Sequence, residues 1–340
     1  MKRFQEIDVA KGLLIMLVIV VHVPMALHKM GYDYPFVCYP SNETSFLYDG
    51  FFMQAFFMLS GYTSHFDKPF RAFSVGNLKG LLVPFLFFGI LTKAAESALF
   101  GDDFWTLTVG GERYFFLVET LWFLSAMFIA RFIYWAVHRT TTNDLLRGGA
   151  LLAILVMGVV LNHIHQEAED PAHFHNYFHY RNAMCLAIFL WIGDCMKRHT
   201  WMKGHARGIG FCYIPLILVS KFFPKIHPVA YTDSSALTIA EIPAYILFSV
   251  SGTLLLVELA VYLKRAGIVA YMGRNSLVVY CVHFLIMQCV AVLLSGLVTP
   301  EGKTLSMLYF GIFLLLCWSC TAGCAFVFKK YPLNYCVGKW

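Results

Sequence analysis

Arg3-Phe4-Gln5-Glu6-Ile7-Asp8-Val9-Ala10-Lys11-Gly12, then a run of Leu, Ile, Met and Val up to His22 and Val23, is the stretch on which the reading of this chain turns. From Gly12 to Val23 the run is apolar except for His22. An imidazole facing lipid is costly, so His22 is expected to face protein or a water-filled cavity. Asp8 and Lys11 are three residues apart and share a helix face near its start. His22 lies eleven residues beyond Lys11, roughly 16 Å further along a helix and close to three whole turns, hence on the same face. One face then carries a cation at the membrane surface and a titratable base deep inside. A buried histidine bonded to a neighbouring helix is the competing reading of this stretch alone.

The whole chain agrees with a membrane reading. It has 340 residues, 59% of them apolar, 17% aromatic and 14% charged, with a mean hydropathy of +0.65. Soluble domains carry about 25% charged residues. The composition predicts one polytopic transmembrane domain over 1–340, with no room for a large soluble domain. The net charge of +6 is spread over loops, which argues against nucleic acid as a partner. The first span is too long for a signal-peptide core and lacks a small-x-small cleavage site, so it is expected to stay as an anchor. The ten cysteines lie mostly in or beside apolar runs, as packing residues rather than a disulfide framework.

Run length predicts an all-α bundle of about ten transmembrane helices, near 9–27, 46–64, 79–100, 114–137, 148–162, 182–196, 207–223, 238–263, 269–296 and 305–328. The fifth and sixth are short enough to be tilted or partly re-entrant. With the N-terminus in the cytoplasm, eighteen Lys and Arg fall on inner segments and six on outer ones. That asymmetry places both termini in the cytoplasm. Within the spans, Lys93 and Glu96 have the spacing of a pair. Arg131, Asp194, Glu241 and Glu258 acquire no sharp role. The outer loop 163–181 holds His163, His165, His173, His175 and His179 with Glu167, Glu169 and Asp170. A transition metal is one use for such a loop and a polar mouth for substrate another; no metal is expected.

Several motifs resemble the membrane acyltransferase 3 family. Lys11, ten residues and His22 resemble its Arg-or-Lys, ten residues, His signature. The form Ile7-Asp8-Val9-Ala10-Lys11-Gly12 looks most like the branch of fucose 4-O-acetylase-like proteins. Phe56-Phe57-Met58-Leu59-Ser60-Gly61-Tyr62 resembles Phe-Phe-x-x-Ser-Gly-Tyr, although that branch usually has His-Met-Pro where this chain has Phe52-Met53-Gln54. Leu121-Trp122-Phe123-Leu124 matches a further signature. Gly273-Arg274-Asn275-Ser276-Leu277-Val278-Val279-Tyr280-Cys281-Val282-His283 resembles the late Gly-x-x-Ser-Leu-x-x-Tyr-x-x-His motif. Ser276, Tyr280 and His283 share one face of a helix, which is expected to look into the bundle.

The resemblance implies an O-acyltransferase in the bacterial inner (plasma) membrane, with acyl-CoA as donor and acetyl-CoA as the expected form. Basic residues before a Pro-aromatic helix entry meet the donor nucleotide in that family, which points to Lys68, Arg71 and Lys79 beside Lys11. The phosphates of coenzyme A suit such cations. His22 is the expected general base. Glu119 is expected level with it, orienting and strengthening the imidazole. His283 is the expected second acid-base group, with Asp8, Trp122, Arg274, Ser276 and Tyr280 positioning substrate. A transient acyl-histidine is the alternative route. The expected acceptor is a hydroxyl of a lipid-linked glycan or cell-surface polysaccharide, arriving from the outer side. The lipid bilayer is the surrounding partner, and a homodimer is left open. A transporter with a membrane proton relay is the rival class, and a non-catalytic export or scaffold subunit the third.

Overall fold

A computed structural model describes residues 5–29, 47–101, 121–167, 177–220, 222, 237–263, 266–297 and 303–338. No strand occurs among them. Among the described residues, five helical segments are long and apolar enough to cross a membrane: Phe70–Phe100, Asp144–Ile164, Ile239–Tyr262, Ser276–Ser295 and Thr304–Val327.

The helices, in chain order, are α1 (Gln5–Lys29), α2 (Phe52–Thr63), α3 (Phe70–Asn77), α4 (Val83–Phe100), α5 (Trp122–Thr140), α6 (Asp144–Glu167), α7 (Tyr180–Arg198), α8 (Thr200–Phe211), α9 (Tyr213–Ser220), α10 (Ile242–Tyr262), α11 (Gly267–Arg274), α12 (Ser276–Ser295) and α13 (Lys303–Val327). Their contacts divide the chain into two compact groups. The first holds α1, α4 and α11 to α13. The second holds α2, α3 and α5 to α10.

Three departures from the expected spans have local causes. The inner loop expected to carry Lys68, Arg71 and Lys79 is mostly helix: Arg71 lies in α3, and a single π-helical turn at Leu78–Leu82 joins α3 to α4 and contains Lys79. Pro84 lacks the N–H that would bond the carbonyl four residues back, and the π turn absorbs that break. The expected span 207–223 is two helices parted at Cys212. Pro215 cannot donate to the carbonyl of Phe211, so the helix ends just upstream. The expected continuous span 269–296 breaks at Asn275, where φ is −114° and ψ 17°. The buried Asn275 amide donates to the carbonyl of Tyr271 at 2.7 Å, sharing that acceptor with its own backbone N–H at 3.2 Å. The two spans expected to be short form longer helices, 24 residues for α6 and 19 for α7, of which only α6 is among the five apolar enough to cross a membrane.

In the first group α1 packs along α11 and α12, and α12 packs on α4 and α13. The closest approach is made by glycines. A Cβ on Gly12 would collide with the carbonyl of Val269, and one on Gly273 with the carbonyl of Asp8. The two contacts step in opposite directions, so α11 runs antiparallel to α1 with backbones touching. Val9, Ile15 and Ile19, on the same side of α1 as Gly12, are buried with it. The tail returns to the same group: Gly338, with φ +71°, abuts the carbonyl of Lys79.

The second group is built round α7. From Arg181 to Cys195 every residue but Trp191 is buried, under α2, α5 and α6. Gly61 meets the carbonyl of Leu190 and Gly193 that of Met58, again an antiparallel crossing closed by small residues. Phe66, Tyr134 and Phe189 fill the neighbouring space.

Candidate active site

The apolar run that ends at His22 folds as one helix, and three turns of it separate Lys11 from His22. His283 lies in α12, two turns beyond Ser276, which opens that helix. The two imidazoles meet edge-on, with ring centroids 5.1 Å apart and planes at 73°. Nδ1 of His22 donates to the carbonyl of Val18 at 2.7 Å, and Nδ1 of His283 donates to the carbonyl of Tyr280. A carbonyl only accepts, so both neutral rings carry their proton on Nδ1. Both Nε2 atoms therefore present lone pairs. Nε2 of His283 is buried and meets no donor among the described residues. The Tyr280 ring lies 5.4 Å from that of His283, on the face that the spacing predicted.

The glycine crossing fixes the other end of this group. It sets the backbone of Asp8 against Gly273, next to Arg274, and the backbone of Lys11 one residue from the contact at Gly12. Asp8, Lys11 and Arg274 thus gather at one end, with Arg274 exposed and its Nε donating to the carbonyl of Ala270 at 3.2 Å. Elsewhere in the group Lys93 pairs with Glu96 at 2.8 Å, as their spacing predicted, and Gln288 donates to the other oxygen of Glu96 at 2.8 Å.

The remaining expected residues are distributed as follows. Glu119 lies outside the described residues, as do His173, His175, Glu169 and Asp170. His163 is in α6 rather than in a loop. Trp122 opens α5 in the second group, 5.9 Å from the ring of His179. Lys68 and Arg71 are exposed, also in the second group, while Lys79 belongs to the first.

In the second group the carboxylates are consumed by cations and hydroxyls. Asp144 accepts from both terminal nitrogens of Arg198 at 2.8 Å, from His199 at 2.8 Å and from Arg147 at 3.2 Å. Asp194 accepts from Tyr134 at 2.7 Å and Arg198 at 3.0 Å. Asp144, Cys195 and His199 have ligand-type spacing. Two guanidinium groups already occupy that carboxylate, so the cluster suits an ion network better than a cation site. On the loop after α2, the hydrogen bond from His138, with Arg139 and Arg147 behind it, holds the Asp67 carboxyl below the usual carboxylate range.

Sequence reasoning named both histidines but set Glu119, not His283, beside His22. The contact between the rings depends on how α1 and α12 pack, which no spacing within either helix reports.

No curated protein and no solved structure matches the chain. The family model described as an acyltransferase domain matches residues 4–328, which takes in both histidines and the glycines that bring their helices together, and the chain therefore belongs to the acyltransferase 3 family of membrane acyltransferases.

Proposed function

We propose that the protein is an O-acyltransferase that moves an acyl group, acetyl first among candidates, from cytoplasmic acyl-CoA to a hydroxyl of a lipid-linked or cell-surface glycan. The observation that carries this reading is the pair of facing imidazoles, each tied through Nδ1 to its own helix with Nε2 open. His22 acts as general base on the acceptor hydroxyl as that oxygen attacks the thioester carbonyl. The proton passes to Nε2 of His22, the C–S bond breaks, and the departing CoA thiolate takes that proton back from the imidazolium to leave as the thiol. Neutral imidazole is the form that can do this, and its backbone hydrogen bond selects the tautomer. His283 packs against the base and supplies a second proton acceptor beside it. Lys11, with Lys79 of the same group, contacts the phosphates of the donor, while Asp8, Arg274, Ser276 and Tyr280 position substrate.

Ten spans with both termini in the cytoplasm of a bacterial inner membrane suit this chemistry. Lys11 then lies at the cytoplasmic surface, and His22 roughly 16 Å into the bilayer. The acyl group would travel along α1 while the nucleotide stays at the surface. The reading is tested by free CoA release from acetyl-CoA in proteoliposomes containing the purified protein, with a lipid-linked glycan fraction as acceptor. Release that requires the acceptor is the expected result. Acetyl-CoA-independent movement of solute across the vesicle wall, with no CoA release, would replace the transferase by a transporter.

A further inference from the structure

Arg131 lies within α5, eight residues before Arg139, and the resemblance gives it no part. Its Nε donates to Asn77 Oδ1 at 2.6 Å, and its Nη1 to Ser60 Oγ at 3.0 Å and to Ser64 Oγ at 2.8 Å. The Asn77 amide is itself held by the carbonyl of Phe73 at 2.8 Å. The guanidinium lies 5.6 Å from the centroid of Phe66 and 6.0 Å from that of Phe73. Every partner is neutral. A second cation reaches the same residue from α7: Lys197 Nζ donates to the carbonyl of Ser64 at 2.7 Å and lies 3.3 Å from His65 Nδ1.

Two cations thus converge on Ser64, and among the described residues neither has a carboxylate within 4 Å. The nearby acids are engaged elsewhere. Asp194, one turn before Lys197, is bonded to Tyr134 and Arg198. Asp67, three residues after Ser64, is bonded to His138. A partly buried cation without a counter-charge is costly, so a fold that rigidly positions one on neutral oxygens is arranged for an anion. The remaining donors describe that anion. Nη2 of Arg131 has two N–H groups and Lys197 has one ammonium N–H beyond the bonds above. Two positive charges match a phosphate dianion, whose several oxygens accept three such bonds; a lone carboxylate would neutralise half the charge. Lys68, Arg71 and Arg139 on adjoining exposed surface extend the positive field.

We propose that Arg131 and Lys197, set about Ser64 at the end of α2, form a phosphate-binding site. The phosphate belongs either to a soluble nucleotide-type ligand or to an anionic lipid headgroup. The soluble source rests on the acyl-CoA reading; the lipid source does not.

The test uses the full-length protein in nanodiscs. One arm measures CoA affinity in phosphatidylcholine alone. The other measures phosphatidylglycerol retained by the protein in mixed discs, by native mass spectrometry. Arg131→Gln and Lys197→Gln should each weaken one of these ligands about tenfold, and the ligand affected names the source. Arg131→Lys, which keeps the charge and loses the fork, should weaken it less. Lys197 sits at the helix end, so Lys197→Gln carries the test if Arg131→Gln does not fold. Wild-type affinity for both ligands in the folded variants overturns the site, as does binding of neither ligand by the wild type. Weakened phosphate binding in the variants of a protein that transfers no acyl group upholds the site and overturns the transferase reading. Full transfer with unaltered affinities does the reverse.

Discussion

The two helix groups are closed by the same device and filled with opposite chemistry. In each, an antiparallel pair touches backbone to backbone through reciprocal glycines, Gly12 and Gly273 on α1 and α11, Gly61 and Gly193 on α2 and α7. Beyond the crossing of α1 with α11 lie two neutral imidazoles with their basic nitrogens open. Around the crossing of α2 with α7 lies an ion network in which Asp144 and Asp194 are engaged by Arg147, Arg198, His199 and Tyr134. Carboxylates paired with cations and hydroxyls on neighbouring helices hold those helices in register. Open imidazoles contribute less to rigidity and can take a proton. The same close packing thus frames the proposed reaction centre in one group and a brace in the other.

The largest effects should come from the shared device. Gly273→Val and Gly193→Val each drive a side chain into a facing carbonyl, and each should cost about 3 kcal/mol. Thermal unfolding in detergent should show both variants destabilised alike. A wild-type unfolding midpoint for either would break the symmetry between the groups. Next is Tyr134→Phe, which removes a buried hydroxyl from Asp194 and should cost about 2 kcal/mol with turnover per folded molecule unchanged. A fall in turnover would give the brace a part in catalysis. Lys11→Ala should weaken donor affinity about tenfold, and unchanged affinity for acetyl-CoA would remove Lys11 from the donor site. The smallest effect belongs to Asp67→Asn. The folded-state pKa of Asp67 is depressed, so its pairing with His138 stabilises above the ordinary carboxylate range and is lost as pH falls through the depressed value. The carboxylate is exposed, so the variant should lose less than about 1 kcal/mol at neutral pH and converge with the wild type in acid. Chemical denaturation at the two pH values reads this directly.

What could be read in the chain beforehand follows from which signals are local. Helix positions were legible because burial in lipid demands long apolar runs, and α1, α10 and α13 lie where the runs are. The common face of Ser276, Tyr280 and His283 was legible because it needs only the period of a helix. The breaks at Leu78–Leu82, Cys212 and Asn275 were not anticipated, although Pro84, Pro215 and Asn275 carry their causes. A mean-hydropathy reading passes over single residues that remove or capture one backbone hydrogen bond. The full length of α7 was hidden because Arg181, Asn182, Asp194 and Lys197 make its ends polar, and Leu161, Tyr134 and Ser64, which bond Arg181, Asp194 and Lys197, lie far off in the sequence. The meeting of His22 with His283 is likewise tertiary. Gly12 and Gly273 were visible, but which carbonyl each would touch was not.

The central claim is that the histidine pair is the reaction centre, with His22 the base. Its most direct test is single-turnover acetyl transfer by His22→Ala, measured together with acetyl-CoA affinity, against wild type and His283→Ala. The account predicts that His22→Ala binds acetyl-CoA as the wild type does and loses about a thousandfold in rate, with a smaller loss in His283→Ala. Transfer within threefold of wild type by His22→Ala would contradict it.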